Sequence, residues 1–248
     1  MAPPALPPPE FEARLARARM LTPNVRELTF ERVDGAPMVF EAGQWLNAIL
    51  PAPAAKRSYS IASPPDGSPR FDVAVTRVAG GPGSTWLHAV EPGAALRFIG
   101  PQGFFTRPPA TAPPSLMIAT GTGVTPMRSM LHAAIAAGSR TPMWLLLGVR
   151  HDEDLLYQDE FRAMANEHPF VRFEPTLSQP RENGPPRWTG RRGYVQTHVR
   201  ALWDELASLG PAPHAYICGL ERMISSVREL LRKDMGLPRQ QVHSERYD

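Results

Sequence analysis

The sequence predicts two domains, an antiparallel β-barrel followed by an α/β domain built on a parallel sheet. Three observations carry this. Up to about Pro108, short β-rich runs alternate apolar and polar residues. A stiff, uncharged proline stretch at 108–114 then interrupts the chain. Beyond it, continuous apolar runs alternate with helical ones. A length of 248 residues fits two modest cores, because single cores split in the range of about 100 to 200 residues.

Residues 1–10, rich in proline and alanine, are expected to form a disordered, polyproline-like tail. Strands follow over 25–30, 45–50, 57–61, 71–78 and 96–99, broken by Pro and Gly. The run Phe71-Asp72-Val73-Ala74-Val75-Thr76 gives the period-two signal of a half-buried strand. Together they predict an all-β barrel over residues 11–108. Proline at 108–114 cannot continue a ladder, which places the domain boundary there.

In residues 115–248, strands are predicted over 116–119, 143–149, 171–177 and 215–218, with helices near 125–137, 158–166, 195–209 and 221–235. Strands that are apolar on both faces need helices on both sides, the architecture of a nucleotide-binding α/β domain. In the first of these helices, Thr125 suits the N-cap, Pro126 the first helical position and Gly138 the end.

Composition narrows the function. Apolar residues make up 42% and charged residues 21%, which is ordinary for a globular protein. The formal charge is only +3, and every cation is arginine except Lys56 and Lys233. With no basic block, this favours phosphate recognition at defined sites over a nucleic-acid surface. Cys218 is the single cysteine, so an intrachain disulfide is excluded, and one cysteine cannot by itself hold an iron-sulfur cluster or a structural zinc. No apolar run approaches the roughly 18 residues of a membrane span, and no signal peptide is legible; a cytoplasmic protein with no membrane span is expected.

Four short stretches carry the chemistry. Arg57-Ser58-Tyr59-Ser60 combines a cation, hydroxyls and an aromatic ring on an extended segment, with Arg57 and Tyr59 on one face and Ser58 and Ser60 on the other. Gly80-Gly81-Pro82-Gly83-Ser84-Thr85 lets backbone amides approach an anion. Gly121-Thr122-Gly123-Val124-Thr125-Pro126 follows an apolar strand and opens a helix, aiming free amides and the positive end of the helix dipole at a phosphate. Its spacing departs from the Gly-x-Gly-x-x-Gly dinucleotide fingerprint. Last come Cys218-Gly219 at the end of a strand and Glu245-Arg246-Tyr247 near the end of the chain. Taken singly, three of them also have plain readings: a barrel strand for Arg57 to Ser60, a hairpin turn for Gly80 to Thr85, and, in the last, a small buried hydrophobe for Cys218 and a frayed end for Glu245 to Tyr247.

In this order and at these separations, the stretches resemble the ferredoxin(flavodoxin)-NADP reductase family of bacterial type, and the resemblance covers nearly the whole chain. It implies an FAD-binding barrel, an NADP-binding α/β domain, and electron transfer between NADPH and a separate ferredoxin or flavodoxin. It implies that Arg57 pairs with the FAD phosphate, that Tyr59 lies against the flavin with Ser58 beside it, and that Ser60 bonds near the reactive N5. Gly83, Ser84 and Thr85 would take the FAD pyrophosphate. Gly121, Thr122, Gly123, Thr125 and Pro126 would form the NADP pyrophosphate loop. Cys218, with Gly219, would sit beside the nicotinamide C4 without acting as a nucleophile. Tyr247 would stack on the flavin where the nicotinamide must go, and Glu245 would help move protons.

The 2′-phosphate of NADPH calls for arginine and hydroxyl donors. Ser178, Arg181 and Arg191 match the family's pattern, with Arg150 ending the previous strand, Arg187 and Arg192 nearby, and Gln179 standing where an arginine is frequent. Tyr194 or Trp188 is a candidate for the adenine, and Leu220, Glu221 and Arg222 line the same edge as Cys218. Two alternatives stay open. One is an NADH-dependent reductase component of an oxygenase; the other is an electron-transfer subunit of a larger enzyme, which typically carries a cysteine cluster that is absent here.

Overall fold

The computed structural model describes residues 7–52, 55–181 and 188–247. Most of the expected tail, Arg187 and Asp248 therefore lie outside the described residues.

The first half contains β1 (Glu10–Thr22), β2 (Val25–Arg32), β3 (Trp45–Ile49), β4 (Lys56–Ser60), β5 (Arg70–Thr76), α1 (Pro82–Ala89) and β6 (Ala95–Gln102). The strands pair antiparallel in the order β4-β3-β6-β1-β2-β5. The two ends meet where Ala62 N donates to Asp72 O at 2.8 Å, which curls the sheet into a barrel. Alternate residues turn inward, as the period-two signal requires. Phe11, Phe30, Phe71 and Phe98 interlock at its centre with ring centroids 4.9–6.0 Å apart.

β1 was not legible in the sequence. It starts at Glu10, the last residue of the expected tail, and its register with β2 slips between Leu15 and Arg17. That bulge reverses the inward phase halfway along the strand, so Ala16-Arg17-Ala18-Arg19 breaks the alternation that would mark it.

After residues 103–114, which form neither strand nor helix, come β7 (Ser115–Thr120), α2 (Val124–Ala136), β8 (Met143–Val149), α3 (Gln158–Glu167), β9 (Val171–Leu177), β10 (Arg191–Arg192), α4 (Gln196–Ala207), β11 (His214–Leu220), α5 (Glu221–Glu229) and β12 (Val242–Tyr247). All pairs are parallel, in the order β10-β9-β8-β7-β11-β12. Met117 and Ala119 of β7 join a core with Met127 and Leu131 of α2 and Phe161 of α3. Leu116 and Ile118 join a second core with Leu202 of α4 and Ile224 of α5. Both faces of the strand are thus buried, which is why it reads as a continuous apolar run. The first of these cores also takes in Val25, Ala42 and Phe105, so it is shared across the two sheets.

Two local expectations change, and one strand, β12, was not expected. α2 begins at Val124 after a 3-10 turn at Gly121–Gly123, and Gly123 occupies the cap position; the Thr125 hydroxyl instead donates to Thr122 O at 2.9 Å. The helix expected over 221–235 is α5 followed by a π-helical turn, Leu230–Asp234. β12 forms where a frayed end is the usual outcome, as an edge strand beside β11. Gly138 behaves as expected: at φ +72° it ends α2, with Gly138 N donating to Ile135 O and Ser139 N to Ala134 O.

Candidate active site at the junction of the two sheets

The chain builds outward from β7 through β8 to β9, then crosses to β11 on the other side. Ligands in open α/β sheets bind outside the carboxyl ends of the strands at such a reversal. A cleft of about 590 Å³ lies there. Its walls include Gly121, Arg150, Ser178 and Leu220 from the α/β half and Thr22, Asn24 and Thr76 from the barrel.

At the barrel end of this junction, four elements bring their side chains together. In β12, residues two apart face the same way, so Glu245 and Tyr247 both turn toward the barrel, while Arg246 turns out to Glu221 at 3.2 Å. The register sets Glu245 opposite Cys218 and Tyr247 opposite Leu220. Tyr247 OH donates to Ser60 Oγ at 2.6 Å and lies 3.1 Å from Thr125 Oγ1. Ser60 Oγ is 3.5 Å from Glu245 Oε2, a long contact. Ser60, Thr125, Cys218, Glu245 and Tyr247 therefore form one cluster, drawn from β4, α2, β11 and β12.

Burial sets the protonation of this cluster. It pushes the Glu245 carboxyl up to about 7, against a hydrogen bond from Ser60 that pulls it down. It pushes the Cys218 thiol far up, helped by the Glu245 charge, so the thiol stays neutral and is a poor nucleophile. It holds the Tyr247 hydroxyl protonated, as a donor. The cluster thus presents one carboxyl that exchanges a proton near neutrality among hydroxyls that do not.

Along β4, moving away from this cluster, the residues grow more exposed. Tyr59 is half-buried against the barrel core, and burial pushes its hydroxyl up to about 12. The Ser58 hydroxyl donates to Asn47 Oδ1 at 2.9 Å. The Arg57 guanidinium is exposed and bonds only to Lys56 O, with no carboxylate partner among the described residues. This donor set fits a phosphate, a ring and a polar ring edge laid along one strand. In the turn before α1, the Ser84 hydroxyl accepts from Val78 N at 3.0 Å and reaches Gly81 O at 3.1 Å, so it closes the turn itself. Gly83 and Thr85 lie with it in the first turn of α1.

The glycine loop after β7 divides its tasks. Gly121, at φ +53°, lines the cleft and has open space where a Cβ would stand. Gly123 is held for packing: a Cβ there would come within 2.2 Å of Cys218 O. A Cβ on Gly219 would come within 2.3 Å of Thr120 Oγ1. The loop therefore lies directly on the end of β11. The Thr122 hydroxyl lies 3.3 Å from Thr76 Oγ1 of the barrel, and Pro126 is buried in the first turn of α2. The open backbone at Gly121 fits an anion.

At the far end of the cleft the sequence expectations divide. Ser178 and Arg150 line it, and Ser178 N donates to Val149 O at 3.0 Å. Arg181 and Arg191 do not. Arg181 pairs with Glu153 at 2.6 Å, and Arg191 pairs with Glu174 at 2.6 Å, beside Arg172 on the same carboxylate. Both are committed to neighbouring carboxylates and away from the cleft wall. Tyr194 lines the cleft, 65% exposed, whereas Trp188 is packed away from it with Nε1 donating to Arg191 O. Gln179 also lines the cleft, with its backbone N donating to Arg150 O at 2.9 Å. Arg222 and Ser226, one turn apart on α5, line the opposite wall. Arg222 and Arg150 make no ion pair among the described residues. Ser226 and the barrel residues Thr22 and Asn24 carried no signal in the sequence, because only the packing of the two halves brings them to the cleft.

Residues 12–106 match the family model for the oxidoreductase FAD-binding domain, and residues 117–229 match that for the oxidoreductase NAD-binding domain. Ferredoxin--NADP reductase B of Sorangium cellulosum (strain So ce56) is 58% identical over 242 residues, covering 96% of this chain and 98% of that protein. The reductase component of phenol 2-monooxygenase from Pseudomonas sp. (strain CF600) is 30% identical over 83% of this chain, which spans 57% of that protein. In fold the chain is similar to a ferredoxin NADP+ reductase from Neisseria gonorrhoeae, with a TM-score of 0.78 at 21% identity, covering 96% of this chain and 98% of the other. No helix of the described residues is long and apolar enough to cross a membrane. Matched nearly end to end by a reductase at 58% identity, the chain belongs to the ferredoxin–NADP reductase family of FAD-dependent oxidoreductases.

Proposed function

We propose that this protein carries electrons between NADPH and a separate ferredoxin or flavodoxin, with residues 11–108 holding FAD and residues 115–248 holding the nicotinamide nucleotide. The observation that carries the reading is the cluster of Ser60, Thr125, Cys218, Glu245 and Tyr247. In it the barrel strand bearing Arg57 and Tyr59 meets the glycine loop and the end of β11 through Tyr247. When bound, a flavin accepts a hydride from a nicotinamide and gives up electrons one at a time.

Arg57 supplies charge for the FAD phosphates, Tyr59 a flat neighbour, Ser58 and Ser60 polar contacts at the ring edge, and the amides of Gly83, Ser84 and Thr85 further phosphate donors. Gly121 and Thr122 receive the NADP pyrophosphate, while Gly123, Gly219, Thr125 and Pro126 fix the loop against β11. Cys218 closes the floor of the site with an uncharged side chain. Glu245 holds or releases a proton beside Ser60. Tyr247 would cover the flavin at the position that the nicotinamide needs. For the 2′-phosphate, the positions that face the cleft are Arg150 and Ser178, with Arg222 across from them; Arg181 and Arg191 act at a distance, through the carboxylates they neutralise. We place the protein in the cytoplasm, in keeping with its one reduced, buried cysteine.

A second reading, an NADH-dependent reductase component of an oxygenase, is favoured by the pairing of Arg181 and Arg191 with carboxylates. Steady-state reduction of purified ferredoxins and flavodoxins by the FAD-loaded protein separates the two. NADPH-driven turnover of a carrier supports the first reading, and turnover with NADH alone supports the second.

A further inference from the structure

Besides the Tyr247 cluster, a second set of side chains ties the flavin strand to the nicotinamide loop. Arg128 lies three residues beyond Thr125 on α2, and its side chain is only 12% exposed. Its Nη1 donates to Ala62 O at 2.9 Å and lies 3.6 Å from Asp72 Oδ2 of the barrel. Its Nε donates to Glu160 of α3 at 2.7 Å, and its guanidinium carbon lies 4.7 Å from the centre of the Tyr157 ring. The next residue, Ser129, is fully buried and donates from Oγ to Ser63 O at 2.7 Å. Ala62 and Ser63 are the second and third residues after Ser60. From the other side, Ala62 N donates to Asp72 O, and Asp72 N donates to Ser63 Oγ. Two consecutive residues of α2 therefore grip two consecutive carbonyls of the strand exit, and Asp72 pins that exit from behind.

We propose that Arg128 and Ser129 are positioning residues for hydride transfer: a clasp that fixes the distance between the stretch carrying Ser60 and the loop carrying Thr125. This rests on the reading of those stretches as the flavin and nicotinamide sites. Neither residue touches the reacting atoms. A buried guanidinium with one carbonyl, two carboxylates and a ring around it has a single arrangement that satisfies all of them, so it sets position and not merely cohesion. Lysine keeps the charge but cannot form the planar fork that serves Ala62 and Glu160 together.

Three variants test the clasp: Arg128→Met, which keeps the stem over Tyr157, Arg128→Lys, and Ser129→Ala. Each is loaded with FAD and mixed rapidly with saturating NADPH without oxygen, and the loss of flavin absorbance is followed. FAD content and NADPH Kd are measured in parallel. For Arg128→Met the flavin-reduction rate falls by about tenfold or more, since a displacement of about 1 Å at the reacting atoms costs up to about a hundredfold. FAD content and NADPH Kd stay within about twofold, and Arg128→Lys recovers part of the rate. A merely structural role lowers the melting temperature and FAD content and leaves the rate of the loaded molecules unchanged. A rate within about twofold of the unaltered protein overturns the clasp, and if Arg128→Met fails to fold, the same result for Ser129→Ala overturns it. If the unaltered, FAD-loaded protein is not reduced by NADPH, the functional reading falls and the clasp with it; an active parent with an equally fast variant removes the clasp alone.

Discussion

The two ends of the site are built differently. At the barrel end, Ser60, Thr125 and Tyr247 sit within 2.6–3.1 Å of one another through the Tyr247 hydroxyl, on strands and a helix start, with Cys218 fully buried beside them. At the far end of the cleft, Arg150 and Tyr194 are exposed, and Arg181 and Arg191 are spent on carboxylates. The first end is held by burial and hydrogen bonds. The second presents exposed side chains. Preorganised polar groups are what a reacting centre needs, whereas discrimination between two nucleotides that differ by one phosphate needs only a few kcal/mol.

The sharpest way to break this contrast is to remove Tyr247. A chain ending at Arg246 loses the ring and two hydroxyl contacts, together roughly 2 to 3 kcal/mol, and both nicotinamide nucleotides then bind on the order of thirty- to a hundred-and-fiftyfold more tightly. Titration of the flavin spectrum with NADP+ measures it. An unchanged spectrum and affinity would mean that Tyr247 does not cover the flavin.

Arg57→Ala comes next. Its guanidinium has no carboxylate to lose, so its removal costs only the phosphate contact, roughly 1.5 to 3 kcal/mol or one to two decades of FAD affinity. Retention of full FAD after extensive dialysis would show that the flavin lies elsewhere.

At the far end, Arg150→Ala raises the KM for NADPH by about tenfold and leaves that for NADH within about twofold. Arg191→Ala, which leaves Glu174 paired with Arg172 alone, has the smaller effect. The reverse order would return the 2′-phosphate to Arg191, one of the residues that the family resemblance implies.

A further test is on pH. The unfolded Glu245 carboxyl titrates at 4.5, and burial raises it to about 7 in the folded chain. The folded state therefore keeps a proton that the unfolded state has released, and Glu245 costs stability as pH rises between those values. Glu245→Gln removes this slope from urea midpoints between pH 5 and 7.5, along with any activity step near 7; identical slopes in both proteins would show that Glu245 is not protonated there.

These tests also mark where the sequence stops being informative. The strands of the parallel sheet were legible because burial on both faces gives unbroken apolar runs such as Leu145-Leu146-Leu147. β1 was hidden by its bulge, and β12 by having an apolar residue only at its ends, as an edge strand can. The residues of the Tyr247 cluster were named from motif order, but that they form one hydrogen-bonded unit follows from the β11–β12 register. The arginines of the 178–192 stretch could be counted but not assigned, because whether a guanidinium is free depends on how the fold sets Glu153 and Glu174, 28 and 17 residues away, beside Arg181 and Arg191. That the Ser84 hydroxyl closes its own turn was not legible either, for the same kind of reason.

The most direct measurement is rapid anaerobic mixing of the FAD-loaded protein with NADPH and, separately, NADH over a range of concentrations, following the flavin absorbance. If the fixed end does the chemistry and the cleft does the choosing, the limiting rates agree within about threefold, while the half-saturating concentrations differ by about tenfold or more in favour of NADPH. Equal half-saturation with widely different limiting rates would contradict that division, and no reduction by either nucleotide would contradict the account as a whole.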